Sequence, residues 1–402
     1  MPSDLSVNFC NIRFTNPFVV ASSPSTDSVE TIASAFDAGW AGAVLKTIST
    51  ANTEVIIAYP IITSLKHGRH LTGFHNIDLI SERPVERWAE DVRHLKRHYP
   101  DRVIIASIVG DTRDEWQYLA RQMASAGADI IECSLSCPQG SAIEGEEDTL
   151  GSMVSQDPNL TEKVARWIKD AVPDTPVTVK LTSVVTDLTA MVNAVERSGA
   201  DGVCLIDSVE ALVGVNLDTL EPMPSVQGYT TYGGYSGKGI KPIALRCVAN
   251  AAKGANLPIS GVGGIYTWRD AAEFLLLGAT IVQVCSAIME KGFDIVGGMT
   301  EGLENWLESK GFEGVDQIIG LSLPNIVEHD ALPHGIQIRA NIDPETCIGC
   351  QRCFIACRDG GHQAIDWDAE IRRPAVDKQR CVGCGLCPQV CPVPGCITLR
   401  RL

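Results

Sequence analysis

FVVASSPST, residues 18–26, reads as a short apolar strand running into a turn made of serine, proline and threonine. An open dinucleotide-binding sheet would carry G-x-G-x-x-G at that first turn, so that the backbone can approach a pyrophosphate. None of those glycines is present. Working outward, apolar runs of strand length recur at GAVLK (42–46), RVIIASI (102–108), DIIECSL (129–135), PVTVKL (176–181), DGVCLI (201–206), PISGVG (258–263) and TIVQVC (280–285). Between them, stretches such as TEKVARWIKDAV (161–172) and DLTAMVNAVERSG (187–199) repeat their apolar residues with helical period. Eight strands, apolar on both faces and each followed by a helix, predict an α/β fold of the closed parallel (β/α)8, or TIM, barrel type.

The end of the chain is different in kind. CIGCQRCFIAC (347–357) and CVGCGLCPQVCP (381–392) each read C-x2-C-x2-C-x3-C, offset by 34 residues. That is the bacterial ferredoxin spacing for two [4Fe–4S] clusters, in which three close thiolates grip one cluster and the fourth reaches the other. Cys347, Cys350, Cys353 and Cys391 are therefore assigned to one cluster, and Cys381, Cys384, Cys387 and Cys357 to the second. A zinc ribbon would need two pairs of ligands rather than two sets of four. Cys396 falls outside the pattern and reads as a buried thiol. The expected organisation is a barrel over 1–310, a linker over 311–340 and a ferredoxin-like 2[4Fe–4S] domain over 341–402.

Composition narrows the class. A formal charge of −16 opposes general nucleic-acid binding, which requires a basic face. Apolar runs such as Pro17–Ala21 and Phe274–Leu277 are too short to cross a bilayer, so no membrane role is expected. The start, MPSDLSVNFC, has neither a basic nor an apolar segment, which gives a cytoplasmic expectation. Fifteen cysteines in such a compartment point to metal or redox chemistry rather than to disulfides.

Barrel chemistry gathers at the C-terminal ends of the strands. Those positions hold Ala21 and Ser22, Lys46 and Thr47, Ser134 with Ser136 and Cys137 just beyond, Lys180, Asp207 and Ser208, Gly263 and Gly264, and Cys285 and Ser286. A lysine at the end of a buried strand is costly unless it meets an anion or an electron-rich ring. Two such lysines and the glycine turn GVGGI indicate a cofactor bearing a phosphate. Flavin mononucleotide (FMN) fits, with its phosphate on the amides of Gly263–Gly264 and Cys285–Ser286 and a lysine near the ring. Cys10, Cys133, Cys204 and Cys247 have no such setting and read as core.

LSCP, VKLT, TTYGGYSGKGIKPIALR, GGI and QVCSA, followed by two ferredoxin motifs, resemble the flavin and C-terminal iron–sulfur domains of the dihydropyrimidine dehydrogenase family. They are similar, more distantly, to the dihydroorotate dehydrogenases. The likeness covers nearly the whole chain and resembles the catalytic subunit of the bacterial two-subunit form. It implies that Lys46 and Lys180 contact the flavin, that Ala21, Ser22 and Thr47 line its ring, and that Ser236 and Gly237 lie in a loop beside it. Gly263, Gly264, Cys285 and Ser286 match the phosphate end, and Asn76 matches an asparagine that contacts the substrate ring. Cys137 matches the family's general acid, and a free thiol with a pKa near about 8.5 is mostly protonated at neutral pH. Gly140, Ser141 and the acidic run 144–148 are expected to form a loop that closes over substrate.

Departures fall on the substrate side. Ser134 and Asp207–Ser208 stand where the resemblance leads one to expect asparagine and Asn-Thr, Gln139 stands where it expects histidine, and VGDTRDEW (109–116) lacks its Tyr-Asn. An asparagine amide both donates and accepts, whereas an ionised aspartate only accepts. Three readings follow. The first is reduction of uracil or thymine to the 5,6-dihydro form, with hydride from FMN and a proton from Cys137. The second is the same chemistry on another ring or conjugated substrate bearing hydrogen-bond donors, met by Ser134 and Asp207. The third is an electron-transfer module with an idle barrel. The resemblance also implies an NAD(P)H-oxidising FAD/iron–sulfur partner subunit, or a ferredoxin, and a homo-oligomer or heterotetramer.

Overall fold

The computed structural model describes residues 3–50, 57–135 and 154–401. Eight parallel strands close a barrel: β1 (Phe18–Val20), β2 (Gly42–Val44), β3 (Val103–Ile108), β4 (Ile130–Ser134), β5 (Val177–Leu181), β6 (Gly202–Leu205), β7 (Ile259–Val262) and β8 (Ala279–Val284). Seven lie within the runs expected from sequence, and β8 begins one residue before its run. Almost every strand residue is buried, because helices cover the outside and side chains fill the lumen.

Local chemistry sets the helix ends. Thr112 and Glu115 form a reciprocal capping box at the start of Arg113–Ala126, and Asp187 caps Leu188–Ser198. That second helix stops at Gly199, whose φ of 84° suits glycine far better than any residue with a Cβ. The bottom of the barrel is plugged by a hairpin, Val7–Phe9 with Ile12–Phe14, that packs on the first residues of β2 and β6. Gly202 must be small there, since a Cβ would lie 2.7 Å from Cys10 Sγ.

Two loops at the other end were not anticipated as structure. Ile62–His67 and His70–Asn76, inserted after β2, join Val209–Ala211 and Gly233–Ser236, inserted after β6, in one antiparallel sheet of four strands. The sheet roofs the C-terminal ends of the barrel strands.

The segment expected to link the domains divides instead. Residues up to Asn325 belong to the barrel unit. Val315 and Ile318 are wholly buried in its core, and the Asp4 amide donates to Glu313 O at 2.8 Å. Freeing this stretch would expose those apolar side chains, which is why it packs. The second unit runs from Ile326 to Leu402. It pairs Ile338–Ile342 with Ile397–Arg401 and Ile365–Asp368 with Arg373–Val376, around helices Arg352–Gly360 and Leu386–Val390. Among the described residues no helix is long and apolar enough to cross a membrane.

Candidate active site and cluster sites

A cavity of about 410 Å³ opens at the C-terminal ends of the barrel strands, within the range of small-molecule sites. Ala21, Ser22, Lys46 and Thr47 line it from β1 and β2, and Ser134, Lys180, Asp207 and Ser208 from the ends of β4, β5 and β6. Asn76, Ser236 and Gly237 enter from the roof, and Gly263, Gly264, Cys285 and Ser286 from the ends of β7 and β8. All these positions had been singled out in the sequence. Cys137, with Ser136, Gln139 and the acidic run beyond it, lies outside the described residues.

Both lysines are buried, and each is paired. Lys46 Nζ is 3.1 Å from Asp78 Oδ2 and 3.8 Å from Asp27 Oδ2. Asp27 is itself fixed, because the Ser81 hydroxyl donates to its Oδ1 at 2.6 Å while accepting from Trp88 Nε1. Lys180 Nζ lies 3.3 Å from Asp207 Oδ1, which also accepts the Ser208 amide at 2.7 Å. Burial pulls the Lys180 ammonium down, but the carboxylates of Asp207 and Glu132 outweigh it and raise the group above its ordinary value.

The roof is held by close backbone approach. Asn76 Nδ2 donates to the Gly234 carbonyl at 3.2 Å, and a Cβ on Gly234 would collide with Ser208 Oγ at 2.1 Å. At the opposite end, Gly263 and Gly264 adopt φ of 135° and 74°, and a Cβ on Gly264 would sit 2.9 Å from Gly237 O. The Ser286 hydroxyl donates to Ser236 Oγ at 3.0 Å, joining the roof to the end of β8.

Four polar groups escaped the sequence reading: Asp27, Asp78, Glu132 and Gln283. Asp78 Oδ1 is buried without a hydrogen-bond partner among the described residues, in a residue that lines the cavity. Glu132 and Gln283 fill the lumen beneath Lys180, where Gln283 Nε2 donates to Glu132 Oε2 at 3.4 Å. Their signal was legible as a charge inside DIIECSL and an amide inside TIVQVC, two otherwise apolar strands. Cys133, Cys204, Cys247 and Cys10 are buried as expected, although Cys204 accepts a hydrogen bond from Gln283 rather than packing only on apolar atoms.

The residues present fit a flavin. Cationic side chains flank the cavity, and its glycine end admits close approach of a phosphate. When bound, that flavin supplies the two-electron redox chemistry.

In the second unit, Cys347, Cys350, Cys353 and Cys391 line one small cavity, with Cys396 beside them. Cys357, Cys381, Cys384 and Cys387 line another. The repeat is structural as well as sequential: the Cys347 and Cys381 amides donate to Asp343 O and Asp377 O at 3.1 and 3.0 Å. Gly349 and Gly383 both adopt positive φ, as do Gln351 and Gly385 at the helix starts. Among the described residues no three His, Cys, Asp or Glu side chains converge as a single ion demands. Four spaced thiols around a void suit an iron–sulfur cube better than zinc.

The dihydroorotate dehydrogenase family model matches residues 4–307, and a 4Fe-4S dicluster domain matches residues 340–399. The chain is 42% identical over 404 residues to the NAD-dependent dihydropyrimidine dehydrogenase subunit PreA of Escherichia coli (strain K12), covering 99% of this chain and 96% of that protein. It is 35% identical over 342 residues to the chloroplastic dihydropyrimidine dehydrogenase (NADP(+)) of Arabidopsis thaliana, covering 82% and 79% respectively. It is also 35% identical over 320 residues to the catalytic subunit of dihydroorotate dehydrogenase B (NAD(+)) of Pyrococcus abyssi, covering 79% and 99%.

Proposed function

The chain belongs to the dihydropyrimidine dehydrogenase family of flavin- and iron–sulfur-dependent oxidoreductases acting on CH–CH bonds, and from that membership we propose that it interconverts uracil or thymine and the 5,6-dihydro ring. The flavin is FMN, and the ferredoxin-like unit holds two [4Fe–4S] clusters that carry electrons singly to or from it. Lys46 and Lys180 flank the flavin, and Gly263, Gly264, Cys285 and Ser286 hold its phosphate. Asn76 and Ser208 meet the substrate ring. Cys137 holds the proton exchanged with the ring carbon, a role that rests on its place in LSCP and on the ordinary thiol pKa.

The observation that carries the pyrimidine reading is the pairing of Asp207 with Lys180. A free carboxylate opposing a ring carbonyl would leave both acceptors unpaired. Asp207 instead has an ammonium and a backbone amide on the same oxygen. Reduction of a different donor-bearing ring is the second reading, favoured by Ser134 and Asp207 at the expected asparagine positions. The Escherichia coli relative is by its name a subunit. A partner that exchanges electrons with a nicotinamide is proposed here on that basis.

Anaerobic titration of the oxidised protein with dihydrouracil tests the substrate. Bleaching of the flavin band supports the pyrimidine assignment. An inert spectrum with intact flavin and clusters rejects it in favour of the second reading.

A further inference from the structure

Glu132 is 1% exposed, inside the barrel and within an apolar strand. Its hydrogen bonds do not call for a charge. Gln283 Nε2 on β8 donates to Glu132 Oε2 at 3.4 Å, and also reaches Ser260 Oγ on β7 at 2.9 Å and Cys204 Sγ on β6 at 3.3 Å. Glu132 Oε1 has no hydrogen-bond partner among the described residues. A glutamine could fill the same volume and accept the same bond without burying a carboxylate. What the carboxylate adds is a negative charge beneath Lys180. Ser134, two residues further along β4 on the same face, is paired in register with Lys180 on β5. Cys204 on β6 is paired with Lys180 from the other side. Lys180 therefore has Asp207 beside it at the cavity and Glu132 beneath it in the lumen.

We propose that Glu132 is a positioning residue: it shares the Lys180 ammonium with Asp207, and so weakens the positive field that Lys180 presents to the flavin and keeps the flavin midpoint potential low. The proposal rests on the reading that the flavin lies beside Lys180. A cation near the ring favours the electron-rich reduced form, and a second carboxylate on that cation offsets the effect. The outcome is a flavin that gives up electrons to the clusters more readily.

The test is an anaerobic spectroelectrochemical titration of the holoprotein at about pH 8.5, well above the ordinary carboxylate range. Glu132→Gln is expected to shift the oxidised–reduced ratio of the flavin about tenfold toward reduced at a fixed potential, or about 30 mV for a two-electron couple. The cluster midpoints, internal to the same sample, should not move. In a Lys180→Gln background, Glu132→Gln should produce no shift, because a wholly buried carboxylate without its cation takes up a proton and is already neutral. An unchanged flavin midpoint in Glu132→Gln overturns the proposal, and so does an equal shift in the Lys180→Gln background. Should Glu132→Gln release the flavin, Gln283→Met removes the amide that stabilises the carboxylate and must move the flavin in the same direction. No movement there overturns it as well. A wild-type chain without a flavin band would instead reject the cavity assignment, and this inference with it.

Discussion

Asp207 Oδ1 lies 3.3 Å from Lys180 Nζ and accepts the Ser208 amide at 2.7 Å, so one carboxylate oxygen joins the ends of β5 and β6. Replacing it by an amide keeps the shape and adds a donor. Because that oxygen is already paired and does not oppose the ring, Asp207→Asn is expected to leave the KM for dihydrouracil within about twofold, well under the effect of a mispaired acceptor at about 1–3 kcal/mol. Initial rates against dihydrouracil, measured anaerobically with an artificial electron acceptor, check this. A KM lowered about tenfold would mean that Asp207 faces the ring as a mispaired acceptor and would count against the pairing with Lys180 as the basis of the pyrimidine reading.

Lys46 has a different dependence. Its ammonium stands between Asp78 and Asp27, and the Lys46 and Asp78 side chains are each only 9% exposed. Lys46→Met leaves both carboxylates without that cation. Breaking a buried pair from one side costs about 3–5 kcal/mol, so the variant should unfold at clearly lower urea. It should also be purified with little flavin. Asp78→Asn in the same background is expected to restore much of the stability but not the flavin, which separates folding from binding.

Glu132 gives a pH dependence with a definite sign. Burial is the largest influence on its carboxyl and raises it above the ordinary value, against the pull of Lys180. The native protein therefore holds this proton to higher pH than the unfolded chain, where the group titrates near about 4.3. Stability from the group is complete below that value and is lost as pH rises toward the folded-state pKa. Glu132→Gln cannot titrate. Its urea midpoint should exceed that of the wild type by a margin that widens from about pH 5.5 to about pH 8.5. Parallel curves would show that the carboxyl does not titrate across the range.

The strand ends were legible because a barrel confines its chemistry to a few positions, and the eight apolar runs mark where they are. Lys46 and Lys180 stood out as charges at the end of buried strands, and the glycines of GVGGI as a turn suited to a phosphate, where the structure shows positive φ at Gly263 and Gly264. Their partners were less visible. Asp78 sits in an inserted roof segment with no barrel periodicity, and Asp27 looks like any polar residue in a turn. Glu132 was written in an apolar strand, but which side of the strand it faces depends on barrel closure. The course of 311–325 was hidden for a similar reason, since Val315 and Ile318 find their core only across contacts far apart in sequence.

The cysteine groupings can be tested against each other. Cys357 belongs to the first motif in sequence, yet it lines the cavity of Cys381, Cys384 and Cys387. The Ala364 amide lies 3.3 Å from its sulfur, fixing it on that side. Cys391, from the second motif, lines the cavity of Cys347, Cys350 and Cys353. If thiols in one cavity serve one cluster, Cys357→Ser and Cys381→Ser attack the same cluster. Each alone should lower iron from about eight to about four per chain, and the double variant should lose no more. Cys357→Ser with Cys347→Ser, although both lie in the same motif, should strip nearly all the iron. Iron analysis and low-temperature EPR of the reduced proteins distinguish the two pairs. Loss of all iron from the first pair and half from the second would assign each cluster to its own motif and reject the exchange of fourth ligands.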